Sequence, residues 1–97
     1  MMEIVYHPLV RQDVSEIRRY YRGISPRLAD EFRDELRALI DLAAQNPARF
    51  APTAQGFRRA NLKRFPYHVL YDIQGEGLRV MLVRHHKRHP RYGMDRA

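Results

Sequence analysis

Four of the five histidines, His68, His85, His86 and His89, lie after Gly56, among most of the arginines and lysines of the chain. An imidazole exchanges protons near neutral pH, and a neighbouring guanidinium or ammonium stabilises charge that develops on a phosphate. A base for the 2′-hydroxyl, an acid for the leaving oxygen and cations around the phosphorus are what metal-independent RNA cleavage needs. Neighbouring cations favour neutral imidazole, so His68 or His86 has the means to accept a proton at neutral pH. Three imidazoles at 85, 86 and 89 also look like a chelator, but Arg84, Lys87, Arg88 and Arg91 surround them and repel a dication. No metal or other cofactor is expected. The plain alternative is a solvated basic tail.

The absence of cysteine excludes thiolate nucleophiles, disulfides and Cys-based metal sites together. With 97 residues, 44% of them hydrophobic, one compact domain over 1–97 is expected, and a disordered chain is not. No apolar run approaches the ~20 residues needed to span a bilayer, and the first residues lack the pattern of a signal peptide. The expectation is a cytoplasmic protein with no membrane partner. Net charge is +7, and it is one-sided. Residues 1–56 carry eight arginines against eight acids, whereas residues 57–97 carry ten Lys or Arg against three acids, so the whole excess lies in the second part. Such a distribution favours a polyanionic partner, either nucleic acid or an acidic protein segment.

The elements that must position these groups follow from periodicity. Glu3–Tyr6 is a short β-type run closed by His7-Pro8. Apolar residues at Val10, Val14, Ile17, Tyr21 and Ile24 predict one helix, with Gly23 breaking the pattern. Ser25-Pro26 starts a second, with Leu28, Ala29, Phe32, Leu36, Leu39, Ile40 and Ala43 on one stripe, stopping at Asn46-Pro47. The two form a helical hairpin over about 8–46. Residues 47–56 are expected to be a loop. A sheet follows over about 57–84: an Arg-rich strand from Phe57 to Arg64, a strand from Pro66 through Ile73, a turn at Gln74–Gly77, and a last strand from Leu78 to Val83. Tyr67, Val69 and Tyr71 alternate toward the helices and are expected in the core. The opposite face is expected to hold His68 and Leu70 with Arg79, Met81, Val83 and His85. The fold class is α+β: β-α-α-β-β-β in two layers, a helical hairpin on one face of a mainly antiparallel sheet, followed by a basic tail over 85–97.

Phe65-Pro66-Tyr67-His68-Val69-Leu70-Tyr71, followed by His85-His86-Lys87-Arg88-His89-Pro90-Arg91-Tyr92 in a basic chain of this size, resembles the RelE/ParE family of bacterial type II toxin–antitoxin toxins. The likeness extends over nearly the whole chain, and the ending is most similar to ParE-like plasmid stabilization proteins. It implies a toxin held inactive by a cognate antitoxin that lays an extended or helical segment over it, and the one-sided charge makes that segment acidic or amphipathic. Freed toxin of the ParE branch poisons DNA gyrase, whereas that of the RelE branch cleaves messenger RNA on the ribosome.

On the nuclease branch, the resemblance places acid–base or phosphate chemistry at the positions of His68, His86 and Tyr92. An arginine usually stands where this chain has His68, and no loop acid before Phe57 offers itself as a base. The departure favours a binding inhibitor of gyrase over a ribonuclease, with a basic nucleic-acid-binding module without toxicity as a third alternative. In either toxin, Arg58, Arg59, Lys63, Arg64, Arg84, His85, Lys87, Arg88 and Arg91 are the candidates for target or antitoxin binding. The Arg58–Arg64 run also suits an edge strand guarded against aggregation by its charge.

Overall fold

A computed structural model of the chain describes residues 2–96. Strand β1 spans Glu3–Tyr6, helix α1 Val10–Ile24 and helix α2 Pro26–Gln45; a single 3-10 turn at Pro47–Arg49 leads to β2 at Ala51–Pro52, β3 at Arg58–Asn61, β4 at Tyr67–Gln74 and β5 at Gly77–His85. The sheet has the order β1-β5-β4-β3-β2, with β1 parallel to β5 and every other pair antiparallel. This is the expected two-layer α+β arrangement. Three expectations of detail change. Gly23 does not end α1, which runs one residue further, and the 47–56 loop contains a turn of helix and a two-residue edge strand. The Arg-rich strand is also shorter than its Phe57–Arg64 run, because the chain turns at 62–66 to reach β4.

Both helices lay their apolar stripes on one sheet face. Ile17 and Tyr21 of α1, and Ala29, Phe32, Leu36, Ile40 and Ala43 of α2, share a core with Ala60, Val69, Tyr71, Leu78, Val80 and Val83. Phe32 is the hub: its ring centroid lies 5.9 Å from Tyr21, 5.3 Å from Phe65 and 5.6 Å from Tyr67. Close aromatic pairs of this kind add to what area burial contributes. The hydroxyl of buried Tyr71 donates to the Pro47 carbonyl at 2.6 Å, which ties the loop after α2 to the core. Tyr67, Val69 and Tyr71 therefore face the helices as their alternation predicts.

The last strand departs from its expected face assignment. Leu70 pairs with Leu82 but Tyr71 pairs with Val80, so Met81 is an extra residue, a β-bulge. A single inserted residue inverts the facing of everything beyond it. Leu78 and Val80 turn to the helices before the bulge, and Val83 joins the same core after it. His85 accordingly lies on the helix side, its ring 5.0 Å from Tyr67. Leu82 and Arg84, not Val83 and His85, stand with His68 and Leu70 on the outer face. The bulge thus decides which basic side chain meets His68.

Candidate functional site

The outer face of the sheet gathers four of the candidate residues. His68 pairs across the ladder with Arg84 on one side and Asn61 on the other, and Arg59 lies two residues before Asn61 on the same face of β3. The His68 side chain is only 1% exposed. Its Nε2 faces Arg84 Nε at 3.0 Å, and its Nδ1 faces His86 Nδ1 at 3.0 Å, with the two rings nearly parallel at 6°. Arg59 Nη2 also approaches His86 Nδ1, at 3.2 Å.

Donor and acceptor rules assign the protons. A guanidinium can only donate, so His68 Nε2 must accept from Arg84, and the proton of a neutral His68 must sit on Nδ1. That proton goes to His86 Nδ1, which is therefore an acceptor and receives Arg59 as well. Burial, and then Arg59 and Arg84, push the His68 imidazole from 6.5 down to about 3, so it is neutral at any physiological pH. Burial and Arg59 hold His86 below its ordinary value too. The result is a directed chain, Arg84 to His68 to His86, in which each imidazole lone pair is already occupied.

Arg84 has a second task. It is buried, and its Nη1 donates to the carbonyls of Pro90 at 2.9 Å and Tyr92 at 3.0 Å, fixing the segment after β5. Burial and the nearby Arg59 lower its affinity for its proton, yet a guanidinium keeps its charge. The segment 86–96 is thus a series of hydrogen-bonded turns held against the sheet, in contrast to a freely solvated tail. Gly93, at φ +80°, passes so near Leu82 that a Cβ there would meet its Cδ2 at 2.5 Å. Arg96 then reaches Asp13 on α1.

Between α1 and this segment lies a cleft of about 450 Å³, walled by Ile17, Tyr20, Tyr67, Lys87, Arg88 and Tyr92 among others. Two cations lie against Tyr92, with Arg88 4.2 Å and Arg96 5.7 Å from its ring centre. Lys87, Arg88 and Arg91 are exposed. The remaining candidates lie elsewhere. Arg58 points to the helix side and donates to the Phe50 carbonyl at 2.6 Å. Lys63 and Arg64 occupy the turn before β4, where Glu35 accepts from the Lys63 backbone at 2.6 Å and Glu31 pairs with the Arg64 side chain at 2.7 Å. The site therefore unites His68, His86, Arg59 and Arg84, places Tyr92 with His85, Lys87 and Arg88 in the adjoining cleft, and leaves Arg58, Lys63 and Arg64 apart.

Two residues that hold the site together carried no sign of a role in the sequence. Asp13 is buried on α1, and Arg96 covers it; their side chains are 3% and 6% exposed. The one available signal is that Asp13 falls three residues after Val10 on the stripe that α1 must bury.

Comparison with known proteins agrees with this architecture. No curated protein sequence matches the chain. Among solved structures, one described as the chromosomal ParDE TA system from P. aeruginosa superposes with a TM-score of 0.77 at 18% identity, covering 88% of this chain and 96% of that one. At that identity the match speaks for the fold. The family model of the ParE toxin of type II toxin-antitoxin system, parDE, matches residues 4–90, which takes in both helices, β2 to β5, all of β1 but its first residue, and the histidine cluster. This chain belongs to the ParE toxin family of type II toxin–antitoxin systems.

Proposed function

We propose that the chain is a toxin that inhibits DNA gyrase by binding, and that a cognate antitoxin with an acidic or amphipathic segment neutralises it. The observation that carries the choice of binding over catalysis is the occupied state of both imidazoles. A general base needs a free lone pair within reach of substrate. His68 Nε2 is taken by Arg84, and His86 Nδ1 by His68 and Arg59, which leaves His86 to present its remaining N–H outward as a donor. Membership of the family and a fold shared with a ParDE structure support the antitoxin as partner.

The proposed binding surface is the outer sheet face with the turned segment after it. Among the described residues, Arg59, Lys87, Arg88 and Arg91 have no carboxylate within salt-bridge distance, so their charge is available to an anionic partner. No helix among the described residues is long and apolar enough to cross a membrane, and action on gyrase would take place in the cytoplasm. Pulsed expression separates the targets: gyrase inhibition produces broken DNA with intact messages. Shortened messages without DNA breaks would replace this reading with a ribosome-dependent ribonuclease, and neither lesion would leave a basic binding module.

A further inference from the structure

Strand β1 ends at Tyr6 opposite Val80, so from Met81 onward β5 has no strand on that side. Because His86 N–H donates to the Pro66 carbonyl beside β4 at 2.9 Å, alternation turns the backbone groups of Val83 toward the open side. Bare edges of this kind template pairing with another chain. Here the edge is filled by side chains. Val83 N–H donates to Asp13 Oδ2 at 3.1 Å, and the Met81 carbonyl accepts from Arg96 Nη1 at 3.0 Å. The two side chains close on each other through a forked pair, both distances 2.7 Å.

We propose that the Asp13–Arg96 pair is a surrogate strand that closes the upper edge of β5, and that its loss opens this edge to the same edge of a second copy of the chain. The carboxylate supplies the acceptor and the guanidinium the donor that a neighbouring backbone would otherwise bring. A second copy is the fitting occupant because the opened stretch, Met81-Leu82-Val83, is apolar throughout, with no proline and no charge to repel an identical edge. Two identical edges can meet about a two-fold axis, each satisfying the other.

An ordinary ion pair and a surrogate strand differ in one testable respect. Exchanging the charges, Asp13→Arg with Arg96→Asp, restores an ion pair but sets a donor against Val83 N–H and an acceptor against the Met81 carbonyl. Amide hydrogen exchange of the full chain reads Val83, with the core amide of Val69 as the control for global folding. Arg96→Ala leaves Asp13 a lone buried carboxylate that turns to water and releases Val83 N–H, so exchange at Val83 should quicken by roughly tenfold or more while Val69 keeps its protection. The same variant should show a mass in sedimentation that rises with concentration, while that of the parent chain should stay constant. The exchanged pair should behave as Arg96→Ala does. Full Val83 protection in either variant, or Arg96→Ala with the parent's concentration-independent mass, would overturn the proposal. Arg96→Ala leaves α1 and every strand unaltered and decides the matter even if the exchanged pair does not fold.

Discussion

Two buried arginines hold the segment after β5, and they are solvated by the protein in opposite ways. Arg96 meets a carboxylate, and that partner, Asp13, raises its hold on the proton. Arg84 meets a neutral imidazole and two carbonyls, with no carboxylate among the described residues within salt-bridge distance, and burial lowers its hold. One anchor cancels its charge and the other keeps it. The arrangement separates two duties: Asp13–Arg96 closes the sheet edge without adding to the field of the molecule, whereas His68–Arg84 leaves a positive charge beneath Arg59 and His86 on the face proposed for binding.

The comparison breaks most sharply at Asp13. Asp13→Ala strands a buried guanidinium and a backbone N–H, and removing one partner of a buried pair costs about 3–5 kcal/mol. Urea unfolding should show this loss, and a loss below about 1 kcal/mol would mean that Arg96 finds water instead. Arg84→Met removes a buried cation that has no carboxylate partner among the described residues, so the expected cost is smaller, about 1–3 kcal/mol, arising from the carbonyls and the imidazole left without donors. Equal losses in the two variants would erase the distinction between the anchors.

Acid provides a third test, specific to the uncharged anchor. Because the folded His68 holds its proton only near pH 3 while the unfolded residue binds one from about 6.5 down, the unfolded state takes up the extra proton between these values. The stabilisation from neutral His68 is complete above pH 6.5 and declines as pH falls toward 3. In His68→Gln, urea midpoints should lose that part of the slope between pH 7 and 4.5. An unchanged slope would show that His68 is not held neutral.

The smallest effects on stability are expected at the surface. Lys87→Ala, Arg88→Ala and Arg91→Ala should each shift stability by no more than about 0.5 kcal/mol. Each should slow association with the antitoxin in a graded, salt-sensitive way, since exposed charges are screened over ~8 Å at physiological ionic strength. His86→Ala and Tyr92→Phe should leave the DNA lesion in place. Disappearance of message cleavage from either, with folding and antitoxin binding intact, would turn the site into a nuclease.

Much of this architecture was legible because it rests on local periodicity. The i, i+3, i+4 stripes of α1 and α2 and the strict alternation of Tyr67, Val69 and Tyr71 each declare a face. The bulge was not legible: Val80-Met81-Leu82-Val83 is apolar throughout, so no polar residue marks where alternation slips. That single residue moved Arg84, instead of His85, beside His68, and with it the chemistry of the cluster. Arg96 was invisible for another reason. Its role depends on a partner on α1, and a lone arginine in a run of cations gives no hint of burial. The charge asymmetry pointed to an anionic partner, but only the geometry distinguished arginines held inside from those free to meet it.

The Asp13–Arg96 contact also has a bearing on the order of folding events. It joins residues 83 positions apart, so it closes a loop that includes nearly the whole chain. Closure of so long a loop is entropically costly until the hairpin of helices and the sheet have brought its ends together. This contact should therefore be absent from the folding transition state. Arg96→Ala is then expected to hasten unfolding while leaving the refolding rate nearly untouched, which stopped-flow chevrons would display as movement of one limb alone. A segment that docks last and leaves first sets how long the native molecule persists more than how quickly it forms.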